Sequence, residues 1–184
     1  MKNSDYIIQE REPEFDRDLL HRRAFAVNMR LFHTSKFYRK HIDSILDYMA
    51  WSMEQKWEDY QSNPAGGTYG ISGANLGIPY NIIGFKNAGV LRFMINPEII
   101  ERSTEMVETK SNCGSIKYKK KIPVKRHAAI RVEYFNAFGT PMVEEFTANN
   151  GGFTIQHEVD HNLGILISDR YLEQGGDPKV LEKL

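Results

Sequence analysis

The chain has 184 residues, enough for one domain with a well-filled core, and we expect residues 1–184 to form a single domain. It is 41% hydrophobic, and its 24 basic residues balance 24 acidic ones, which disfavours a nucleic-acid partner. No apolar run approaches the roughly 20 residues that span a bilayer, so we expect no membrane partner. The chain has one cysteine, which excludes an internal disulfide, and its N-terminus lacks the apolar core of a signal peptide. From these two features we expect a cytoplasmic protein.

The first third of the chain is dominated by one predicted helix. Residues 1–33 are expected to be irregular, apart from a short helical turn around Asp18–Arg23. Thr34 or Ser35 can cap a helix from about Lys36 to Gln61, which residues 63–67 (NPAGG) end. Its apolar residues follow the i, i+3, i+4, i+7 pattern of a helix that packs one face on a core: Ile42, Ile45, Leu46, Met49, Met53 and Trp57.

Short β-rich segments follow the helix, and Phe138-Gly139 predicts a hairpin turn between two of them. A second helix is predicted from about Asn150 to Leu163, with Gly164 to end it, and Asp177-Pro178 can start a small C-terminal helix. This order of elements predicts an α+β fold. The predicted strands are Tyr69–Ser72, Ile82–Phe85, Val90–Ile95, Glu105–Lys110, Ala128–Phe135 and Thr140–Phe146.

A basic run at residues 117–121 (KYKKK) includes one aromatic residue. Such runs occur in nucleic-acid binders, but this chain has no overall basic excess. We interpret the run as a solvated strand or loop.

The stretch QHEVDHNLG, residues 156–164, carries the pattern HExxH. On a helix, His157 and His161 lie one turn apart on the same face, where both can bind one metal ion. Two such histidines can also make ordinary hydrogen bonds, but Glu158 is in place as a general base, which favours a metal site. A catalytic metal normally has three protein ligands and one open position, so a third ligand is needed.

Three sources for the third ligand can be compared. The pattern HExxHxxGxxH requires a histidine at the position of Ile167. Glu173 and Glu182 offer carboxylates, but they lie in a short tail with no second long helix to hold them. Cys113 remains, and although a lone cysteine is often a small buried hydrophobic residue, a thiolate with two imidazoles suits zinc or ferrous iron.

Three motifs of the chain resemble those of the peptide deformylases, which are written GxGxAAxQ, EGCLS and HExDH. The chain has TYGISGAN at 68–75, SNCGS at 111–115 and HEVDH at 157–161, in the same order. Residues 18–24, 95–100 and 164–170 are also similar to family sequence. The resemblance implies a peptide deformylase-like α+β fold, with antiparallel strands around a central HExxH helix and here a long helix before them.

The resemblance also implies an activity, namely removal of the N-formyl group from N-formylmethionyl peptides or nascent chains. It implies Cys113, His157 and His161 as ligands of one divalent metal ion, with ferrous iron favoured and zinc, nickel or cobalt as alternatives. Glu158 would take a proton from the metal-bound water and deliver it to the departing amine.

The resemblance assigns further residues to the substrate. The peptide would lie extended beside the first-motif strand and pair with the backbone of Tyr69 and Gly70. The pocket for the methionine side chain would include Phe153 and Thr154.

The motifs depart from the family at the position of the oxyanion. The formyl oxygen would be stabilised by the side chain of Asn75, where the family has glutamine, and by the backbone N–H of Gly114, where it has leucine. Loss of one such donor costs about 10²–10³-fold in rate. Ser111 replaces the glutamate expected to pair with Arg126. The alternative to a standard deformylase is therefore a related protein with altered substrate preference, or with weakened activity, that binds peptides or a partner.

Overall fold

The computed structural model describes residues 19–61, 68–116 and 121–181, with only the backbone described in residues 56–61. Its combination of helices with antiparallel sheets confirms the predicted α+β class. The helices are α1 Met29–Thr34, α2 Lys36–Gln61, α3 Gly152–Asn162, α4 Ile167–Glu173 and α5 Pro178–Leu181. The strands are β1 Tyr69–Ser72, β2 Ile82–Asn87, β3 Val90–Arg102, β4 Met106–Ser111, β5 Ile122–His127, β6 Ala129–Phe135 and β7 Pro141–Thr147.

The strands form two antiparallel sheets. The larger has the order β1-β2-β3-β6-β7, and the smaller pairs β4 with β5. Among the described strands, β1 pairs only with β2 and β4 only with β5, so each has one backbone edge that no described strand covers. Such edges can accept an extended peptide as an added strand.

The long helix α2 has the predicted bounds, and its apolar stripe packs on the larger sheet. Gly84 of β2 permits close approach, because a Cβ atom there would lie 2.8 Å from the Met53 sulfur. None of the described helices, α2 included, has the length and apolar composition that crossing a membrane requires. The buried residues of this contact include Ile42, Leu46, Met49, Met53, Ile71, Ile82 and Ile95.

The N-terminal segment differs from its prediction, since residues 29–34 form helix α1 rather than irregular chain. Asn28 caps it by accepting a hydrogen bond from the Leu31 N–H at 3.0 Å. The helix buries only Phe32, so it has too few apolar residues to show a helical period. The turn around Asp18–Arg23 lies partly outside the described residues, although Leu19 and Leu20 are helical.

The prediction also missed β5 and α4. In β5 the buried positions alternate, but one is occupied by Arg126 and a proline follows the first residue, which weakens the strand signal. Strand β3 continues past Ile95 to Arg102. Asn96 has a positive φ of 54°, and its side chain binds the Val27 backbone N–H and carbonyl at 2.7 and 2.9 Å, so the chain bends there without leaving the sheet.

Helix α3 starts two residues later than predicted, because a 3₁₀ turn at Ala148–Asn150 and Gly151, with φ 101°, precede it. A Cβ atom at Gly152 would lie 2.8 Å from the Thr147 carbonyl oxygen, so the helix can begin close to the end of β7 only with glycine there. Ile155 and Val159 pack into a second core against residues of β2, β3, β6 and β7. The helix is thereby fixed at the larger sheet, and it carries the HEVDH sequence.

Candidate active site

Helix α3 places the two histidines of HEVDH side by side. The Nε2 atoms of His157 and His161 lie 3.2 Å apart, and their rings meet edge to face with centroids 4.7 Å apart. The i, i+4 spacing brings them together, as the sequence predicts.

Cys113 reaches the same point from the other sheet. It is the second residue after the end of β4, and its Sγ lies 3.2 Å from the His161 Nε2. The three ligand atoms of Cys113, His157 and His161 all lie within 4.8 Å of one another. Of the candidate third ligands, Cys113 is the one found at the histidine pair. Ile167 and Glu173 lie in α4, and Glu182 lies outside the described residues.

The donor set fits a divalent metal ion. Metal–nitrogen bonds of about 2.0 Å and metal–sulfur bonds of about 2.3 Å in a tetrahedron separate ligand atoms by roughly 3.3–3.6 Å. The 3.2 Å separations found here are close to that value. Burial lowers the pKa of His157 well below its usual range and that of His161 to about 4, so both imidazoles are neutral, as metal ligation requires.

Glu158 lies beside this group, buried against β1. A Cβ atom at Gly70 would be 2.8 Å from the Glu158 Cγ and 2.5 Å from the Thr154 Cγ2, so only glycine lets β1 approach the helix this closely. Burial raises the Glu158 pKa to about 8, although Arg126 and the Ser72 backbone act in the opposite direction. Its Oε2 has no hydrogen-bond partner among the described residues and is available for proton exchange.

The Asn75 amide is held by two serines. Its Oδ1 accepts hydrogen bonds from the Ser72 N–H at 2.8 Å and the Ser72 hydroxyl at 2.7 Å. Its Nδ2 donates to the Ser115 hydroxyl at 2.8 Å. Ser115 is fully buried, so this network fixes the amide plane at the base of the cavity. No role for Ser72 or Ser115 was predicted, although a serine two residues after the cysteine is common to SNCGS and EGCLS.

One cavity of about 370 Å³ brings all the predicted site residues together. Its walls come from β1, from the end of β4 with the residues after it, and from α3. The predicted site residues in it are Tyr69, Gly70, Asn75, Cys113, Gly114, Phe153, Thr154, His157, Glu158 and His161. The cavity is also lined by residues that were not predicted as part of the site: Thr68, Ile71, Lys110, Ser111, Asn112, Ser115 and Lys121.

Asp160 fixes α3 to neighbouring elements through two arginines. It accepts hydrogen bonds from Arg126 through Oδ2 and from Arg170 through Oδ1, the latter at 2.6 Å. Arg126 therefore has an acidic partner, Asp160, that the sequence did not indicate, in place of the glutamate that Ser111 replaces. Ser111 lies opposite Ile122, not opposite Arg126, and the arginine instead joins β5 to α3.

The chain matches a family model described as polypeptide deformylase over residues 14–175. A peptide deformylase of Desulfosudis oleivorans is 31% identical over 129 residues, which are 70% of this chain and 73% of that protein. A peptide deformylase of Rickettsia prowazekii is 40% identical over 93 residues, 50% of this chain. The chain spans about half the length of the first curated relatives that it matches, 51% for the Rickettsia protein.

A solved structure is similar over most of both chains. It is that of the peptide deformylase from Thermotoga maritima, with a TM-score of 0.69 and 25% identity. The match covers 89% of this chain and 95% of that one. It supports the peptide deformylase-like fold expected from the three motifs.

Proposed function

Because the chain belongs to the polypeptide deformylase family, we propose that it is a single catalytic domain that removes the formyl group from N-formylmethionyl peptides by hydrolysis. One observation carries the proposal: a single cavity contains Cys113, His157 and His161 next to Glu158 and the Asn75 amide. Metal-dependent hydrolysis of an amide uses such a combination of metal-ligand atoms, proton acceptor and hydrogen-bond donor.

Family membership implies a divalent metal ion, and Cys113, His157 and His161 would hold it. When bound, the ion would polarise the formyl carbonyl and make water more acidic. A thiolate and two imidazoles accept several metals, and we propose ferrous iron, which the resemblance favours, with zinc, nickel or cobalt as alternatives. A reduced Cys113 thiol is required in each case, which supports a cytoplasmic location.

Glu158 moves the proton in this proposal. Its pKa of about 8 reflects burial, and a nearby divalent cation would favour the carboxylate, the form that accepts a proton from water. The acid formed in this way would then donate the proton to the amine as the C–N bond breaks. Its position against Gly70 keeps the carboxyl group at the cavity wall.

The developing charge on the formyl oxygen would be stabilised by two donors. Asn75 Nδ2 carries two hydrogens, and the bond to Ser115 uses one of them, leaving the other for substrate. The backbone N–H of Gly114 lies in the same cavity wall. The amide is held by Ser72 before substrate arrives, so little reorganisation is needed during the reaction.

The peptide would bind along β1. Tyr69 and Gly70 line the cavity on an edge that no described strand covers, so their backbone groups can pair with an extended peptide. Phe153 and Thr154, in the first turn of α3, would contact the methionine side chain.

A protein that only binds peptides is less well supported. The ligand set and Glu158 are intact, and the Asn75 amide is held by three hydrogen bonds rather than left without partners. Pure binding would need none of these groups in this arrangement.

The test uses protein that is purified without oxygen and loaded with one equivalent of metal. Its hydrolysis of a formyl-Met peptide is monitored by the release of free amine. We expect turnover, and a loss of roughly 10²–10⁴-fold in kcat in the Glu158→Gln variant. The exposed Glu145→Gln change in β7 is the control and should keep most of the activity. Absence of amine above background from fully metallated protein would refute the proposal.

A further inference from the structure

The active-site cavity has two lysines at its rim that the proposed reaction does not use. Lys110 lies in β4 and Lys121 just before β5, and both side chains are exposed and line the cavity. Among the described residues that line it, Glu158 is the one acid, and only 4% of it is exposed. The solvent-accessible part of the wall is therefore cationic.

The register of the small sheet, continued by one residue, indicates that the two lysines share a face. Lys110 is opposite Pro123, and Ser111 is opposite Ile122. Continued by one residue, the register places Lys121 beside Asn112, and alternate residues of a strand share a face. Diagonal neighbours in such a pair are about 7–8 Å apart, so both ammonium groups can reach one bound anion.

Nothing in the described part of the chain neutralises this pair. Neither Lys110 nor Lys121 forms an ion pair with a described residue. The closest acid along β4, Glu108, lies opposite Lys125 and lines a different cavity. Within the described part of the chain, two lysines without an ion-pair partner thus lie beside the proposed path of the substrate.

Resting on the proposed function, we propose that Lys110 and Lys121 select formyl peptides with acidic side chains at the second and third positions. An extended peptide advances about 3.3 Å per residue. Counted from the formyl group, the second and third positions are two and three residues along, which is roughly 7–10 Å. Lys110 precedes Cys113 by three residues, a comparable distance of about 10 Å along the strand. The lysines are solvated, so pairing with a carboxylate costs little desolvation.

The experiment compares formyl-Met-Glu-Glu-amide with formyl-Met-Gln-Gln-amide, which have the same shape and differ only in charge. We expect a kcat/KM ratio of roughly three- to tenfold in favour of the acidic peptide at low salt, from two weak exposed pairs. The ratio should shrink as salt screens the charges, and it should fall to about one in the Lys110→Gln/Lys121→Gln variant. Lys125→Gln removes a charge from the same sheet outside this cavity and should keep the ratio.

Binding of the same two peptides to the Glu158→Gln variant, measured by calorimetry, separates this inference from the proposed function. If the protein turns over both peptides equally, or if the preference survives in the double lysine variant, the inference is wrong and the activity stands. If neither peptide is hydrolysed, the activity is wrong, and the binding ratio then decides the inference. Equal binding, or no binding of either peptide, would also overturn it.

Discussion

Asn75 stands where the first motif of the family has glutamine, and its surroundings fit the shorter side chain. The Ser72 N–H and hydroxyl hold the amide oxygen, and Ser115 holds the amide nitrogen. A glutamine would carry its amide about one C–C bond further from the backbone and could not keep both serines in place.

We therefore predict that Asn75→Gln lowers kcat/KM rather than restoring a family-like rate. Asn75→Ala, which removes the donor, should lower it by about 10²–10³-fold. Asn112→Gln, another amide change at the cavity wall, should have a smaller effect. Steady-state kinetics with thermal melting as a folding control measures this. A rise in kcat/KM for Asn75→Gln would mean that the natural residue weakens the enzyme.

Asp160 links three secondary-structure elements: its own helix α3, strand β5 and helix α4. Arg126 from β5 and Arg170 from α4 each bind one oxygen of its carboxylate on α3. The exposed fraction of the side chain is 7% for Arg126, 30% for Arg170 and 8% for Asp160. Loss of Arg126 leaves one carboxylate oxygen without its partner where water cannot reach it, whereas water can replace Arg170, which is itself partly exposed.

Accordingly, we predict that Arg126→Met lowers the free energy of unfolding by about 3–5 kcal/mol, the usual cost of breaking a buried ion pair. Arg170→Met should cost about 1 kcal/mol, since its pairing is partly solvated. Removing both charges of the buried pair, in Arg126→Met/Asp160→Leu, should recover part of the loss. Urea denaturation gives the three values, and an equal cost for the two single changes would contradict this account.

A second set of contacts joins three strands of the larger sheet and should respond to pH. Arg92 of β3 and Tyr134 of β6 both donate hydrogen bonds to Glu144 of β7. Burial opposes ionisation of Glu144, but these hydrogen bonds outweigh it and lower its pKa. The stabilisation is therefore present above the pKa that Glu144 has in the unfolded chain and is lost as pH falls through its lowered pKa in the folded state.

This gives a prediction for Glu144→Gln. The variant should be less stable than the natural protein near neutral pH, and the difference in free energy of unfolding should shrink as the pH falls below about 4.5, the usual carboxyl range. Urea denaturation of both proteins at several pH values measures that difference. A difference that stays constant with pH would show that the Glu144 charge does not stabilise the sheet.

For the molecule as a whole, the sequence was informative where one pattern dominates. The apolar period of α2 predicted the long helix, because it depends only on local spacing. The i, i+4 histidines and the sole cysteine predicted the metal-ligand cluster, because the sequence has no other cysteine to choose from. It was not informative for β5, whose buried positions include Arg126, or for Ser72 and Ser115, whose partners are brought together only by folding. Charge partners such as Asp160 for Arg126 likewise depend on tertiary structure.

The proposed metal site also has a structural consequence for the whole molecule. Cys113 follows a strand of the smaller sheet, whereas His157 and His161 lie on α3, which contacts β1 and β2 of the larger one. An ion held by all three would connect the two sheets. Ligands that bind only the folded state stabilise it, by about 2.7 kcal/mol at a concentration of 100 times Kd.

We predict that loading with one equivalent of zinc, or of ferrous iron without oxygen, raises Tm by about 5–10 °C over metal-free protein. Cys113→Ala should remove most of this increase, because the remaining histidines belong to one helix and no longer connect the sheets. His41→Gln, which alters a histidine outside the cavity, should keep it. Calorimetric melting of the three proteins with and without metal measures the shift. An undiminished shift in Cys113→Ala would mean that the stabilising ion is bound by the histidines alone or elsewhere, so the cysteine would not connect the two sheets.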